Sequence, residues 1–363
     1  IGKYINYWWP EIPLWASSLF FFLAITALNL GSVKLFGEAE FWFSIIKVVA
    51  IVGMIVFGTY LLVTGTGGEQ ASISNLTNNG GFFPKGWFEK TDSGYQGLLS
   101  VMAIIMFSFG GLELIGITAA EAENPEKNIP KATNQVIYRI LIFYVGALII
   151  LFSLSPWATI TKDTSPFVTV FDNLNGLQFK LFGTQVSGNN LIANVLNLIV
   201  LTAALSVYNS SVYSNSRMLY GLAEQGNAPK SVMHLNKSGV PTRAIIASSC
   251  FAGICIIINK FMPDQAFEIL MSLVVSCLII NWVMISFTHL KFRKAKDLEG
   301  TKTKFPSFLF PVANYICIVF LLAILGIMCM TGMHVSVILI PVWLLILFIT
   351  YQIVQKNKAN KLM

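Results

Sequence analysis

The stretch MFSFGGLELIGITAAEAENPEKNIP (Met106–Pro130) places two adjacent glycines and a carboxylate inside an apolar run. The run begins near Gly97; Gly110 and Gly111 lie in its middle, and Glu113 follows them. Adjacent glycines weaken a helix, and a bilayer tolerates unwound backbone only where protein or a wet cavity surrounds it. A carboxylate at that depth is costly unless it has a partner or a function. The stretch therefore predicts a helix broken at a binding site, the alternative being an intact, glycine-packed helix with one satisfied polar residue.

Composition predicts an all-α polytopic membrane protein. The chain is 55% hydrophobic and 11% charged, with a mean hydropathy of +0.69, whereas a soluble domain has roughly 25% charged residues. Apolar runs of about 20 residues recur along its whole length, so we predict one transmembrane domain over residues 1–363. The nine predicted spans are Leu14–Val33, Phe41–Thr64, Gly97–Ala120, Val136–Trp157, Leu191–Val212, Ala244–Phe261, Phe267–Leu290, Phe308–Met330 and Val335–Val354.

Charge placement predicts the orientation of these spans. Most of the 24 Lys and Arg residues fall on one side of a nine-span arrangement, including those of Lys291–Lys296 and Lys356–Lys361. The positive-inside rule makes this side, with the C-terminus, cytoplasmic. A cytoplasmic basic fringe accounts for the net charge of +7 without a nucleic-acid partner. The first residue then lies outside, so we expect an odd number of spans upstream of it.

Reactive and metal-binding patterns are absent from the sequence. The five cysteines fall inside predicted spans without ligand spacing, and the three histidines are scattered, so neither disulfides nor a metal nor another cofactor is predicted. An enzyme would need a reactive constellation, and a channel would need rings of polar groups around a pore. A broken helix with one acid instead favours a secondary transporter.

Several segments resemble the amino acid permeases of the amino acid–polyamine–organocation superfamily. FSFGGLELIGITAAEAENPEKNIPKATNQVIYRILIFYVG (Phe107–Gly146) is similar to their sixth and seventh spans, and the likeness extends through Gly37–Ile55, Ala204–Lys230 and the end of the chain. Within the family, YWWPEIP, GGEQASISNL and SFGGLELIGITAAEA resemble the aromatic amino acid and phenylalanine permeases.

The resemblance implies a leucine-transporter-like fold. The family has twelve spans, of which the first ten form two inverted five-helix repeats. This chain would then hold nine of the twelve, from the fourth to the last, and would be truncated at its N-terminus by about three spans. The family's first span carries a second glycine-rich break that receives the substrate. A non-transporting fragment is therefore one alternative reading of the chain.

The resemblance also implies a substrate-binding segment at the break. Free backbone carbonyls there would accept hydrogen bonds from a substrate ammonium, and phenyl rings would pack on its side chain. For the two phenylalanines, ordinary lipid or core contact is the alternative. Glu113 would act in gating, linking substrate occupancy to closure, and its alternative is a structural tie to neighbouring backbone. The matching residues are Phe107, Ser108, Phe109, Gly110 and Gly111.

Three further residues match the family's proton-coupling and substrate-binding positions. Lys47 corresponds to a fifth-span lysine that, in proton-coupled relatives, occupies the place of a sodium ion and cycles between charged and neutral forms. Snorkelling to the cytoplasmic surface is the alternative. Ser206 and Asn209 match the eighth span, which lines the substrate and ion region, although polar residues there could equally join helices.

Together these matches imply a function. The chain is expected to import phenylalanine, tyrosine and tryptophan across the cytoplasmic (inner) membrane by proton symport. Its expected partners are the amino acid, protons and the lipid bilayer, with no oligomeric state indicated. A permease of the same family for proline, histidine or γ-aminobutyrate is the alternative.

Overall fold

The computed structural model describes most of the chain. The described residues are 1–78, 80–81, 86–91, 94–117, 124–160, 165–172, 178–181, 184–301, 303–331 and 333–362. The end of the third predicted span, 118–120, and the first residues of the loop after it, 121–123, lie outside this set.

Helices dominate the described part of the chain, as predicted. Two short antiparallel hairpins accompany them, β1 (Glu89–Thr91) with β2 (Gly94–Gln96) and β3 (Gln178–Leu181) with β4 (Thr184–Ser187). A π-helical segment, Ile140–Gly146, joins α6 to α7. The α-helices are α1 (Gly2–Asn6), α2 (Leu14–Gly31), α3 (Val33–Thr64), α4 (Leu98–Ser108), α5 (Leu114–Ile117), α6 (Pro125–Arg139), α7 (Ala147–Leu154), α8 (Pro166–Asp172), α9 (Gly188–Glu224), α10 (Thr242–Phe261), α11 (Pro263–Leu298), α12 (Val312–Met330) and α13 (His334–Leu362).

The predicted spans correspond to these helices. Within the described residues, 8 helical stretches are long and apolar enough to cross a membrane, and each coincides with a predicted span. The ninth predicted span, Gly97–Ala120, contains α4 and α5 with a break between them. The chain is therefore an all-α, multi-pass membrane protein, and the span that contains the glycine pair is interrupted, as predicted.

Two helices begin at least two turns earlier than the hydropathy pattern predicted. The span placed at Phe41 starts at Val33, where the Ser32 hydroxyl caps the helix by accepting a hydrogen bond from the Leu35 N–H at 3.2 Å. The span placed at Val136 starts at Pro125, eleven residues earlier. In both cases polar residues continue the helix beyond its apolar part, and hydropathy alone does not detect them.

The contacts divide the chain into two compact units. The first comprises Ile1–Phe82 and Asn134–Asp264, and the second comprises Phe83–Thr133 and Gln265–Met363. In the first unit α3 and α10 pack along α9, and α2 packs on α10. In the second unit α4 packs on α12, and α12 on α13. The single domain over residues 1–363 stays a prediction.

Each unit has its own apolar core. In the first unit, Leu61 of α3, Leu151 and Leu154 of α7 and Phe171 of α8 are almost fully buried. In the second, the core is formed by Ala103 of α4, Val275 and Ile279 of α11, and Ile324 and Met328 of α12. These cores hold α3 beside α9, and α4 beside α11, which positions the polar groups described next.

Candidate functional site

A hydrogen-bonded cluster in the first unit surrounds Lys47. The Lys47 ammonium donates to the Ser206 hydroxyl at 2.8 Å, and that hydroxyl donates to Oε1 of Glu40 at 2.7 Å. The ammonium lies 3.9 Å from the same carboxylate oxygen. Ser206 is fully buried, and the side chains of Lys47 and Glu40 are 29% and 25% exposed. The serine therefore bridges two opposite charges that are largely withdrawn from solvent.

Two amides extend this cluster to a third helix. Asn209 of α9 donates to Oε2 of Glu40 at 3.4 Å, and Asn29 of α2 donates to the Asn209 carbonyl oxygen at 2.8 Å. Asn29 also donates to the Ile25 carbonyl of its own helix at 3.0 Å. Both amides are buried. We call Asn29, Glu40, Lys47, Ser206 and Asn209 the lysine cluster.

Helix geometry explains how these side chains meet. Glu40 and Lys47 are seven residues apart on α3, so they lie on one face two turns apart. Side chains of a helix lean toward its N-terminus, which directs the long Lys47 side chain back toward Glu40. Ser206 and Asn209 are three residues apart on α9 and share the face that packs against α3. The cluster is thus a consequence of α3 lying along α9.

Sequence reasoning found part of the lysine cluster. It singled out Lys47, Ser206 and Asn209, which the structure brings together. It missed Glu40, because the apolar span was started at Phe41, and it missed Asn29. The seven-residue spacing between Glu40 and Lys47 was a signal for the first of these. Nothing in the sequence paired Asn29 with Asn209, since 180 residues separate them.

An apolar cleft adjoins Lys47 within the first unit. It has a volume of about 160 Å³ and is formed by residues of α3, α8 and α9. Lys47 is the charged member of a lining that is otherwise aliphatic or aromatic, with Met54, Phe167 and Leu196 among its walls. The cleft lies beside the Lys47 side chain, whose ammonium is hydrogen-bonded to Ser206.

The second unit contains the break predicted from the glycine pair. Helix α4 ends at Ser108, and the N–H of Phe109 bonds back to the carbonyl oxygens of Met106 and Phe107. The turns that follow have 3₁₀-type hydrogen bonds, between residues three apart. The Gly110 N–H donates to the Phe107 carbonyl at 3.1 Å, and the Leu114 N–H donates to the Gly111 carbonyl at 3.2 Å. The α-helical ladder therefore stops for about one and a half turns before α5.

The two glycines have different reasons for being glycine. Gly111 has φ +96°, a conformation that residues with a Cβ rarely adopt. Gly110 has ordinary φ, but a Cβ there would lie 2.8 Å from Cδ1 of Leu278 on α11. One glycine permits the turn and the other permits the close approach of α11.

Glu113 is tied to the break by two hydrogen bonds. Its Oε2 accepts from the N–H of Gly111 at 3.2 Å and from the indole N–H of Trp282 on α11 at 3.3 Å. The carboxylate therefore fixes the unwound backbone to a neighbouring helix, as the structural alternative for this residue expects. A role in gating stays a prediction. Trp282 had no signal in the sequence, because its partner is 169 residues away.

The phenylalanines of the break differ in their surroundings. Phe107 is 43% exposed, whereas Phe109 is partly buried against the core that contains Ala103 and Val275. Ser108 is exposed at the end of α4. The predicted substrate-binding residues thus fall in both units: Phe107, Ser108, Phe109, Gly110 and Gly111 in the second, Ser206 and Asn209 in the first.

No group of three or more His, Cys, Asp or Glu side chains within the described ranges could hold a metal ion. The five cysteines are free thiols, all exposed.

Comparison with known proteins gives consistent results. The model of the amino acid permease family matches residues 1–363. The chain is 57% identical over 363 residues to the aromatic amino acid transport protein AroP of Escherichia coli O6:H1 (strain CFT073), which covers 99% of the chain and 75% of that protein. It is 56% identical over 363 residues to AroP of Escherichia coli (strain K12), and this match also covers 99% of the chain and 75% of that protein.

A more distant relative shows how far the likeness reaches. The chain is 38% identical over 364 residues to the amino-acid permease AapA of Bacillus subtilis (strain 168), covering 99% of the chain and 74% of that protein. The family match over the whole chain confirms the resemblance seen in the sequence, and with it the predicted fold class. The chain therefore belongs to the amino acid permease family.

Proposed function

We propose that this chain is a secondary active transporter that imports phenylalanine, tyrosine and tryptophan by proton symport. The observation that carries the substrate class is the identity of 56% to 57% to aromatic amino acid transport proteins across 99% of the chain. It acts as a transporter and not as an enzyme, in the cytoplasmic membrane, with its C-terminus inside. The positive-inside pattern of Lys and Arg supports that orientation.

Lys47 is the proposed proton carrier, and Ser206 is the group that senses its state. When Lys47 is charged it donates to Ser206, whose hydroxyl donates to Glu40. A neutral amine can instead accept a hydrogen bond, and a serine hydroxyl rotates to suit its neighbours. When Lys47 loses its proton, the Ser206 hydroxyl can donate to the neutral amine and no longer to Glu40. Glu40 then keeps the hydrogen bond from Asn209. The change reaches α2 through Asn29.

The break is the proposed site for the zwitterionic head of the substrate. Interrupted helices present backbone groups to ligands at membrane depth, and exposed Phe107 offers a ring to an aromatic side chain. Glu113 holds the break to Trp282, and we propose that substrate binding alters this hydrogen bond and so couples occupancy of the break to its closure. Entry of a zwitterion with one proton would draw on the membrane potential, about 2.3 kcal/mol per charge per 100 mV.

Uptake of labelled phenylalanine by cells that express the protein tests the proposal. Competition by unlabelled tyrosine and tryptophan, and collapse of uptake by a protonophore, are the expected results. Competition by proline, histidine or γ-aminobutyrate alone would contradict the aromatic substrate, although the chain would still be an amino acid permease. Uptake that resists the protonophore would contradict proton coupling without contradicting the substrate class.

Ser206→Ala tests the role of the bridging hydroxyl. The variant should lose the dependence of uptake on the proton gradient, because Lys47 and Glu40 lose their shared partner. Ser211→Ala is the matched control on the same helix, since the Ser211 hydroxyl donates only locally, to the Val207 carbonyl at 2.8 Å. Equal effects of the two substitutions would contradict the proposed bridge.

A further inference from the structure

The second unit contains a groove that the proposed transport function does not use. It runs between α11 and α13, has a volume of about 590 Å³ and is lined mainly by apolar side chains, within the roughly 300–1,000 Å³ of ordinary ligand sites. Met284, Trp343 and Leu347 are about half exposed along it, and the Cys277 thiol is exposed in it. We propose that this groove binds one acyl chain of an anionic phospholipid from the cytoplasmic leaflet.

The groove is closed at one end. Ser272 of α11 and Ser336 of α13 are buried, and their hydroxyl oxygens are hydrogen-bonded at 2.5 Å. Lining residues follow both serines along their helices in the same direction, so the two helices run parallel from this bond. Between Ser336 and Leu347 the groove extends for about 16 Å at 1.5 Å per residue. One leaflet of a hydrocarbon core is about 15 Å thick, half of the ~30 Å total, so the length suits one acyl chain.

The other end of the groove leads to positive charge. Lys291 comes eighteen residues after the lining residue Leu273, which is five helical turns, so it lies on the groove face of α11. Lys294 is one turn further on, and both lysines are exposed. Within the described part of the chain neither forms an ion pair. On α13, Tyr351 is 52% exposed one turn beyond Leu347, as expected of an interfacial tyrosine.

The neighbouring basic residues of α11 interact with other side chains. Arg293 donates to the Thr303 hydroxyl at 2.7 Å and lies over the Phe310 ring, 4.8 Å from its centre. Lys296 pairs with Glu299 at 2.7 Å. Of the basic residues at this end of α11, Lys291 and Lys294 are therefore the ones available to a phosphate at the mouth. Basic sites between membrane helices on the cytoplasmic side recognise anionic headgroups, with about 1 kcal/mol per lysine near the surface.

Native mass spectrometry of the purified protein tests this proposal with two probes, phosphatidylglycerol and phosphatidylcholine of identical acyl chains. The wild type should retain phosphatidylglycerol in preference. Lys291→Gln should weaken that retention about five-fold and reduce the preference to the part that Lys294 contributes. Lys296→Gln is the matched control, because it has the same charge on the same helix end but lies about 140° around the helix.

A second pair of variants separates the acyl chain from the headgroup. Cys277→Trp should fill the groove and abolish retention of both lipids, whereas Cys250→Trp, on the exposed face of α10, should not. Equal retention of the two lipids by the wild type, or equal effects of Lys291→Gln and Lys296→Gln, would overturn the proposal. A dimer that Cys277→Trp disrupts and that lipid does not affect would overturn it too, by showing that a second copy of the chain fills the groove.

Discussion

The lysine cluster and the break at Gly110–Glu113 place charged groups among membrane helices by opposite means. The cluster joins three helices through contacts that span 159 to 180 residues of sequence. The hydrogen bonds described at the break join mostly neighbours two or three residues apart, and Trp282 and Leu278 of α11 are its distant contacts named above. A site built from residues close in sequence can be recognised from a short motif. A site built from residues far apart in sequence can be recognised only when the packing of the helices is known.

The largest effect is expected at the centre of the lysine cluster. Lys47→Gln should reduce proton-driven uptake of phenylalanine to background, because the amide cannot carry a proton and leaves Glu40 without its facing cation. Lys34→Gln is the control on the same helix, since Lys34 is 86% exposed and makes a surface pair with Glu38. Substantial gradient-driven uptake by Lys47→Gln would show that the cluster is only a structural tie.

The second-largest effect is expected from a substitution that strains the backbone of the break. Gly111→Ala forces a Cβ into φ +96°, at a cost of about 1–2 kcal/mol, and should lower both the thermal unfolding midpoint and the rate of uptake. Gly116→Ala is the control, because no atom lies within 4 Å of a Cβ at that position. Equal stability of the two variants would mean that the turn adapts and that the glycine is not required for it.

A smaller effect is expected where the lysine cluster reaches α2. Asn29→Ala and Asn209→Ala remove the two ends of one buried hydrogen bond of 2.8 Å, so their effects on unfolding free energy should not add. A double-mutant cycle should give a coupling of about 1 kcal/mol. Additive effects would separate Asn29 from the cluster and confine the cluster to α3 and α9.

The smallest effect is expected at the distant partner of the break. Trp282→Phe keeps the ring and removes the indole N–H that bonds Glu113 at 3.3 Å, which should cost about 1 kcal/mol. If Glu113 gates, the variant should change the rate of uptake more than the unfolding midpoint. A change in stability with transport kinetics untouched would assign Glu113 to structure alone.

The sequence predicted the fold and the break better than the lysine cluster. Nine apolar runs and one glycine pair correspond to the helices and the interruption that the structure contains, because hydropathy and backbone preference are local properties. Ser206 and Asn209 could be named only through a resemblance. Glu40 was assigned to a boundary because a carboxylate lowers the local hydropathy, although α3 extends two turns before it. Trp282 and Asn29 depend on packing, which no short motif encodes.

The π-helical segment Ile140–Gly146, within the span Pro125–Leu154, affects how relatives should be aligned. A π-turn contains a residue more than an α-turn, so the helix after it is rotated relative to an unbroken one by about 100°. Leu151 and Leu154, on the helix that follows, lie in the core of the first unit. A relative that lacks the extra residue should therefore show its alignment gap inside this span and not in a loop.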